Sequence, residues 1–193
     1  MFAVLSLALV VLTTQATPLA PPQATILVVY HSGGGHTAAL AAAVADGART
    51  IADVSVIVKP VGQVTCAELL ATDALIVGSP VYWSNMSGEV KSFFDRWTTD
   101  CKVIPPAFPM KDKVGAAFAT GGEASSGKEI ALMTMVAAML GNRMIVVSDG
   151  QALGATATTG EGGLPLDGKA LDEGRRLGTR VAELTTTLKR ARR

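Results

Sequence analysis

The sequence is poor in aromatic rings, in charge and in the residues that usually mark a metal centre or a covalent catalyst. Its 193 residues include two Trp, two Tyr, five Phe, two His and two Cys, and 17% are charged. Seventeen basic against sixteen acidic side chains leave a net charge of +1. That excludes the electrostatic footprint of a nucleic-acid binder and a strongly acidic docking surface. Cys66 and Cys101 fall in no CxxC or Cys/His spacing, so no zinc site or disulfide framework is indicated and two unpaired thiols are expected. With 49% hydrophobic residues and 20 glycines, the composition is that of one compact domain whose partner is a small molecule.

The first twenty residues differ from the rest. Residues 2 to 12 form an apolar run followed by Thr14-Gln15-Ala16, which reads as a secretory leader over residues 1–20. No Lys or Arg precedes Arg49, so a basic leading segment is missing. The run is too short for a stable membrane span across ~30 Å of bilayer. A functional leader implies a secreted or periplasmic protein; without one the chain is cytoplasmic.

After the Pro-rich joint at 17 to 22, strand and helix patterns alternate. Continuous apolar runs at 25–30, 53–58, 74–78, 113–120 and 144–147 read as strands. Helical patterns occupy 37–51, 67–70, 89–98, 127–140 and 170–190. Strands without polar alternation are covered on both faces. The expected fold is therefore α/β: a doubly wound five-stranded parallel sheet in a three-layer α/β/α domain over residues 24–190. Ligands of such sheets sit beyond the carboxyl ends of the strands.

The first of those ends reads Val28-Val29-Tyr30-His31-Ser32-Gly33-Gly34-Gly35-His36-Thr37. Glycines entering a helix present unpaired amides at the positive end of its dipole, an anion site to which Ser32 and Thr37 add hydroxyls. No lysine follows as a Walker loop requires. Gly33-x-Gly35-x-x-Ala38 matches a dinucleotide turn, yet strand two ends in Val58-Lys59-Pro60, with no acid for a ribose. An oxyanion motif of esterase type would need a G-x-S-x-G elbow and a late histidine, and neither occurs. A terminal monophosphate is the ligand left. At the third strand end, Pro80-Val81-Tyr82-Trp83-Ser84-Asn85 puts two large aromatics in one loop, suited either to packing or to walling in a flat ring.

With these residues the chain resembles the flavodoxin-like FMN proteins, and most of all the tryptophan-repressor-binding-protein type of NAD(P)H:quinone oxidoreductase. The resemblance runs over residues 24–188 and is carried by 32–37, 78–88 with Phe93 to Asp95, 113–122 and Gly154-Ala155-Thr156. It implies FMN as cofactor, with Ser32, Gly33, Gly34, Gly35, His36 and Thr37 on the phosphate. Pro80, Val81, Tyr82, Trp83, Ser84 and Asn85 would lie along the isoalloxazine, and Thr120, Gly121 and Gly122 would turn amides to its pyrimidine side. It further implies NAD(P)H as co-substrate, a quinone-type acceptor and a homo-oligomer, dimer or tetramer. No catalytic side chain is assigned; His36 and Glu123 are candidates near the ring. The chain departs from the pattern where a histidine is common before strand five, here Ala137-Ala138-Met139-Leu140, and in a third loop one residue longer. An aromatic that the resemblance places in the substrate sandwich is replaced near Cys101.

Overall fold

The computed structural model describes residues 23–149, 152–159 and 165–192; the expected leader lies outside them. Each apolar run becomes a parallel strand, because a strand buried on both faces needs no polar alternation. β1 (Ala24–Tyr30) pairs on one side with β2 (Val54–Pro60) and on the other with β3 (Ala74–Tyr82). β3 then pairs with β5 (Val114–Gly121).

The fifth position is shared. β6 (Ile145–Val146) pairs with the start of β5 and β7 (Ala155–Thr158) with its end. The expected strand at 144–147 is thus shorter, and the chain leaves the sheet before returning to complete it. The parallel order is β2-β1-β3-β5-β6, with a short β4 (Asn85–Met86) antiparallel to β3.

Alternate side chains feed two cores. Ile26, Val28, Ile76 and Phe118 face α1 (His36–Arg49) and α5 (Gly168–Ala191). On the other face, Leu27, Val29, Leu75 and Val77 meet the second layer of helices. These are α2 (Cys66–Ala71), α3 (Gly88–Thr99) and α4 (Lys128–Gly141). The alanine-rich α1 packs backbone to backbone on α5. A Cβ added at Gly178 would lie 1.8 Å from the Val44 carbonyl oxygen, and one at Gly47 would lie 1.9 Å from that of Arg175.

Two expectations are corrected. Pro80 was expected to end the third strand, yet β3 continues through it to Tyr82. The Gly78 carbonyl accepts from the His31 amide at 3.2 Å, just beyond β1. Pro80, two residues further along β3, therefore points its nitrogen to the same side, where β1 has ended, and its missing N–H costs no ladder bond. The cysteines are not free: Cys66 and Cys101 form a disulfide, with Cα atoms 5.1 Å apart. The bridge joins the start of α2 to the residues following α3, a proximity that follows from how the two helices pack and not from sequence spacing. Closing 35 residues contributes about 3–4 kcal/mol by restricting the unfolded chain.

Two predictions follow from the packing and capping. Gly178→Ala must push apart two helix backbones and is expected to lower stability by about 2–3 kcal/mol in urea unfolding. Glu68 closes a capping box with Thr65 and pairs with Lys59. The Lys59 ammonium, followed by the Thr65 amide and hydroxyl, holds the Glu68 carboxyl down to about 2 from its ordinary 4.5. A depressed carboxyl stabilises the fold above its unfolded value, and that contribution is lost as pH falls from 4.5 toward about 2. Glu68→Gln should therefore flatten the dependence of the urea midpoint on pH across that window.

Candidate functional site

Three loops meet above the carboxyl ends of β1, β3 and β5. They enclose a concavity lined by Ser32, Gly33, Gly34, His36, Thr37, Pro80, Val81, Tyr82, Thr120, Gly121, Gly122 and Thr159. Eleven of these residues are among those expected to hold the cofactor; Thr159 was not foreseen.

The first loop is built to leave donors free. No acceptor among the described residues takes the amides of Gly33, Gly34 or Gly35. Gly35 ends the loop at φ 87°, immediately before α1. Ser32 Oγ accepts from the Ala38 amide at 3.2 Å and so holds the loop against the first turn of α1. His36 opens that helix, and its buried Nε2 has no partner. The Thr37 and Thr120 hydroxyls, both buried, lie 2.8 Å apart and tie the first loop to the third. Free amides, a helix start, hydroxyls and an unpartnered imidazole nitrogen form a donor set that fits a phosphate.

The second loop is a hairpin. Tyr82 pairs with Asn85 across the turn residues Trp83 and Ser84, at φ 51° and 61°. Positive φ at both central positions suits the twist of a two-residue hairpin but is costly for side chains other than glycine. The turn puts Tyr82 over the concavity, where its hydroxyl lies 2.8 Å from the place a Cβ on Gly33 would occupy. Trp83 stands at the tip, fully exposed. Ser84 lies against Gly127, and the Asn85 side-chain oxygen Oδ1 accepts from the Met86 amide and the Thr134 hydroxyl. Gly35, Trp83, Ser84 and Asn85 thus border the concavity rather than line it.

The third loop is held by a residue that sequence reasoning missed. Lys128 is 4% exposed, and its Nζ donates to the carbonyls of Glu123 and Ala124 at 2.8 and 3.1 Å and to the Thr158 hydroxyl at 3.0 Å. No carboxylate pairs with it among the described residues. Its role could have been suspected only from a lysine at the start of an otherwise apolar helix. Thr159 adds a second tie, its amide donating to the Gly121 carbonyl at 2.8 Å. Glu123 is exposed at the rim.

The model of the NADPH-dependent FMN reductase family matches residues 24–159. The chain belongs to that family. A flavodoxin of Aquifex aeolicus is 30% identical over 162 residues, 82% of this chain and 85% of its own length. An NAD(P)H dehydrogenase (quinone) of Syntrophus aciditrophicus is 31% identical over 63% of this chain and 70% of its own. Among solved structures, a flavodoxin, WrbA-like protein from Agrobacterium tumefaciens superposes with a TM-score of 0.72 at 27% identity. That match covers 85% of this chain and 98% of the other. The flavodoxin-like fold is thereby shown and the family supports FMN binding, with which the donor set around the first loop agrees.

Lys128→Met tests the third loop. Replacing the buried ammonium by an apolar side chain of similar length removes the donor shared by two carbonyls and a hydroxyl and should lower stability by about 1–2 kcal/mol in urea unfolding. The loop carbonyls lose their common donor, and FMN affinity should fall about tenfold in a fluorescence titration.

Proposed function

We propose that the protein is an FMN-dependent NAD(P)H:quinone oxidoreductase, moving two electrons as hydride from NAD(P)H to a quinone-type acceptor. The observation that carries this reading is the donor-lined concavity at the ends of β1, β3 and β5, with Tyr82 across its mouth. When bound, FMN supplies the hydride-accepting chemistry, and the protein supplies binding, orientation and electrostatics.

The amides of Gly33, Gly34 and Gly35 and the first turn of α1 would hold the phosphate, with the Thr37 hydroxyl and His36 beside them. Tyr82 would cover the ring. The Gly122 amide, just beyond the end of β5 in a loop held by Lys128 and Thr159, would present a donor to the pyrimidine edge, where reduction puts negative charge, while the Thr120 and Gly121 amides remain in the ladders with β3 and β7. Such donors are fixed before the reaction and need no reorganisation during it.

The family description supports NAD(P)H, and the Syntrophus relative supports a quinone acceptor. The Aquifex relative supports a second reading, a flavodoxin-type electron carrier. Carriers are steered to protein partners by a charged face, and a net charge of +1 favours the enzyme. We further propose a homo-oligomer, on the exposed apolar row Ile130, Met133 and Leu140 of α4. Export to an oxidising compartment is supported by the apolar run at 2–12 together with the Cys66–Cys101 disulfide.

Anaerobic stopped-flow mixing of FMN-loaded protein with NADH or NADPH tests the enzyme. Flavin bleaching by one of them within seconds, and reoxidation by a soluble quinone, are expected. Bound flavin that neither nucleotide bleaches would leave the carrier reading, and a protein that takes up no FMN would end both.

A further inference from the structure

A second cavity, unused by the flavin reading, opens on the other side of His31. It measures about 590 Å³ and lies between the ends of β1 and β2 and one face of α3, a size suited to a small molecule. α3 turns Glu89, Ser92, Phe93 and Arg96 into it, and Pro60 and Val61 form part of the opposite wall. The four helix positions are spaced i, i+3, i+4 and i+7, a single face.

The middle of this slot is apolar apart from Ser92, and its two ends carry charge. At one end His31 Nδ1 lies 3.3 Å from a Glu89 carboxylate oxygen and 3.0 Å from Ser87 Oγ. At the other, half-buried Arg96 donates through Nη2 to the Val61 carbonyl at 3.0 Å, and no carboxylate pairs with it among the described residues. A guanidinium has about five N–H donors, so most of those on Arg96 are free for a ligand. Seven residues of helix separate the two ends, about 10 Å along the axis.

We propose that this cavity binds a flat, two-ring hydroxylated aromatic carboxylic acid. The carboxylate would sit on Arg96, whose planar fork matches it. The rings would lie between Phe93 and the Pro60–Val61 wall, and the hydroxyl would donate to Glu89 beside His31. A lone cation at one end asks for an anion, while the carboxylate at the other end accepts a phenol and repels a second anion. One-ring acids are too short to reach both ends, and diacids are repelled by Glu89. The proposal rests on this cavity and not on the reductase reading, and its test reads binding rather than turnover.

The experiment is calorimetric titration of 6-hydroxy-2-naphthoic acid into the full chain, both free of FMN and loaded with it. Saturable binding at one site in both forms is expected, with 2-naphthol, which lacks the carboxylate, about tenfold weaker. Arg96→Gln should weaken the acid about tenfold or more, and Glu89→Gln about threefold. Arg96 also braces Val61, so Ser92→Trp provides an independent variant. Ser92 is exposed on α3, and its indole should fill the slot and abolish binding while the urea midpoint stays at the wild-type value. Absence of saturable binding overturns the proposal, as does wild-type affinity in both Arg96→Gln and Ser92→Trp. Stoichiometric displacement of the acid by FMN, which would put it in the flavin cradle, also overturns it.

Discussion

The hydrogen bond from the Ser87 amide to Ser79 Oγ, 2.9 Å long and buried, is the point on which the functional end of the molecule depends. Ser79 lies within β3, and its hydroxyl donates in turn to the Pro80 carbonyl. Ser87 is the residue before α3, and its own hydroxyl caps that helix at the Val90 amide and meets His31. One contact thus closes the hairpin onto the strand that carries it and decides where α3 begins. Both cavities inherit their walls from this closure: Tyr82 on one side, and the Glu89 to Arg96 face on the other. Because the contact is buried, losing either partner leaves a polar group without water, which is costlier than the bond itself is favourable.

How much of this is legible in the sequence depends on whether the controlling interaction is local. The order of strands and helices is, since burial on both faces removes polar alternation from residues 25–30, 74–78 and 113–120 and amphipathic periods mark α3 and α5. The glycine loop is legible for the same reason, because free amides before a helix need only neighbours in sequence. Pro80 misleads, because whether its missing N–H matters depends on where β1 ends, fifty residues earlier. The divided fifth position escapes because Ala155–Thr158 has too few large apolar residues to signal a strand. Its pairing with β5 is what makes it one.

The disulfide and Lys128 were missed for a tertiary reason. Cys66 and Cys101 approach only when the start of α2 and the residues following α3 meet on one face of the sheet, and 35 residues of spacing carry no hint of that. Lys128 is buried by the loop it organises. Its charge is compensated by two carbonyls and a hydroxyl, groups that composition cannot single out. Lys128 locks backbone beneath the third loop, whereas the disulfide ties the start of α2 to the residues after α3, away from the residues that line the concavity. The glycine-rich rim is held partly by local ties, Lys128 to the Glu123 and Ala124 carbonyls, and partly by distant ones, Lys128 to Thr158 and Thr37 to Thr120.

Two of the seven non-glycine residues at positive φ among the described residues, Trp83 and Ser84, sit at the same place. Trp83 and Ser84 hold left-handed conformations at the hairpin tip, and Gly127 at φ 92° is placed where a Cβ would come within 2.7 Å of the Ser84 Cα. The second loop can hold its costly turn because the third loop, being glycine there, fits underneath it. Relaxing Trp83 or Ser84 would move Tyr82, and Tyr82 meets His31 edge to face with ring centroids 5.9 Å apart. The strained turn, the flavin cradle and the second cavity are thus joined through two side chains, and a change that eases the turn must be felt on both sides of His31.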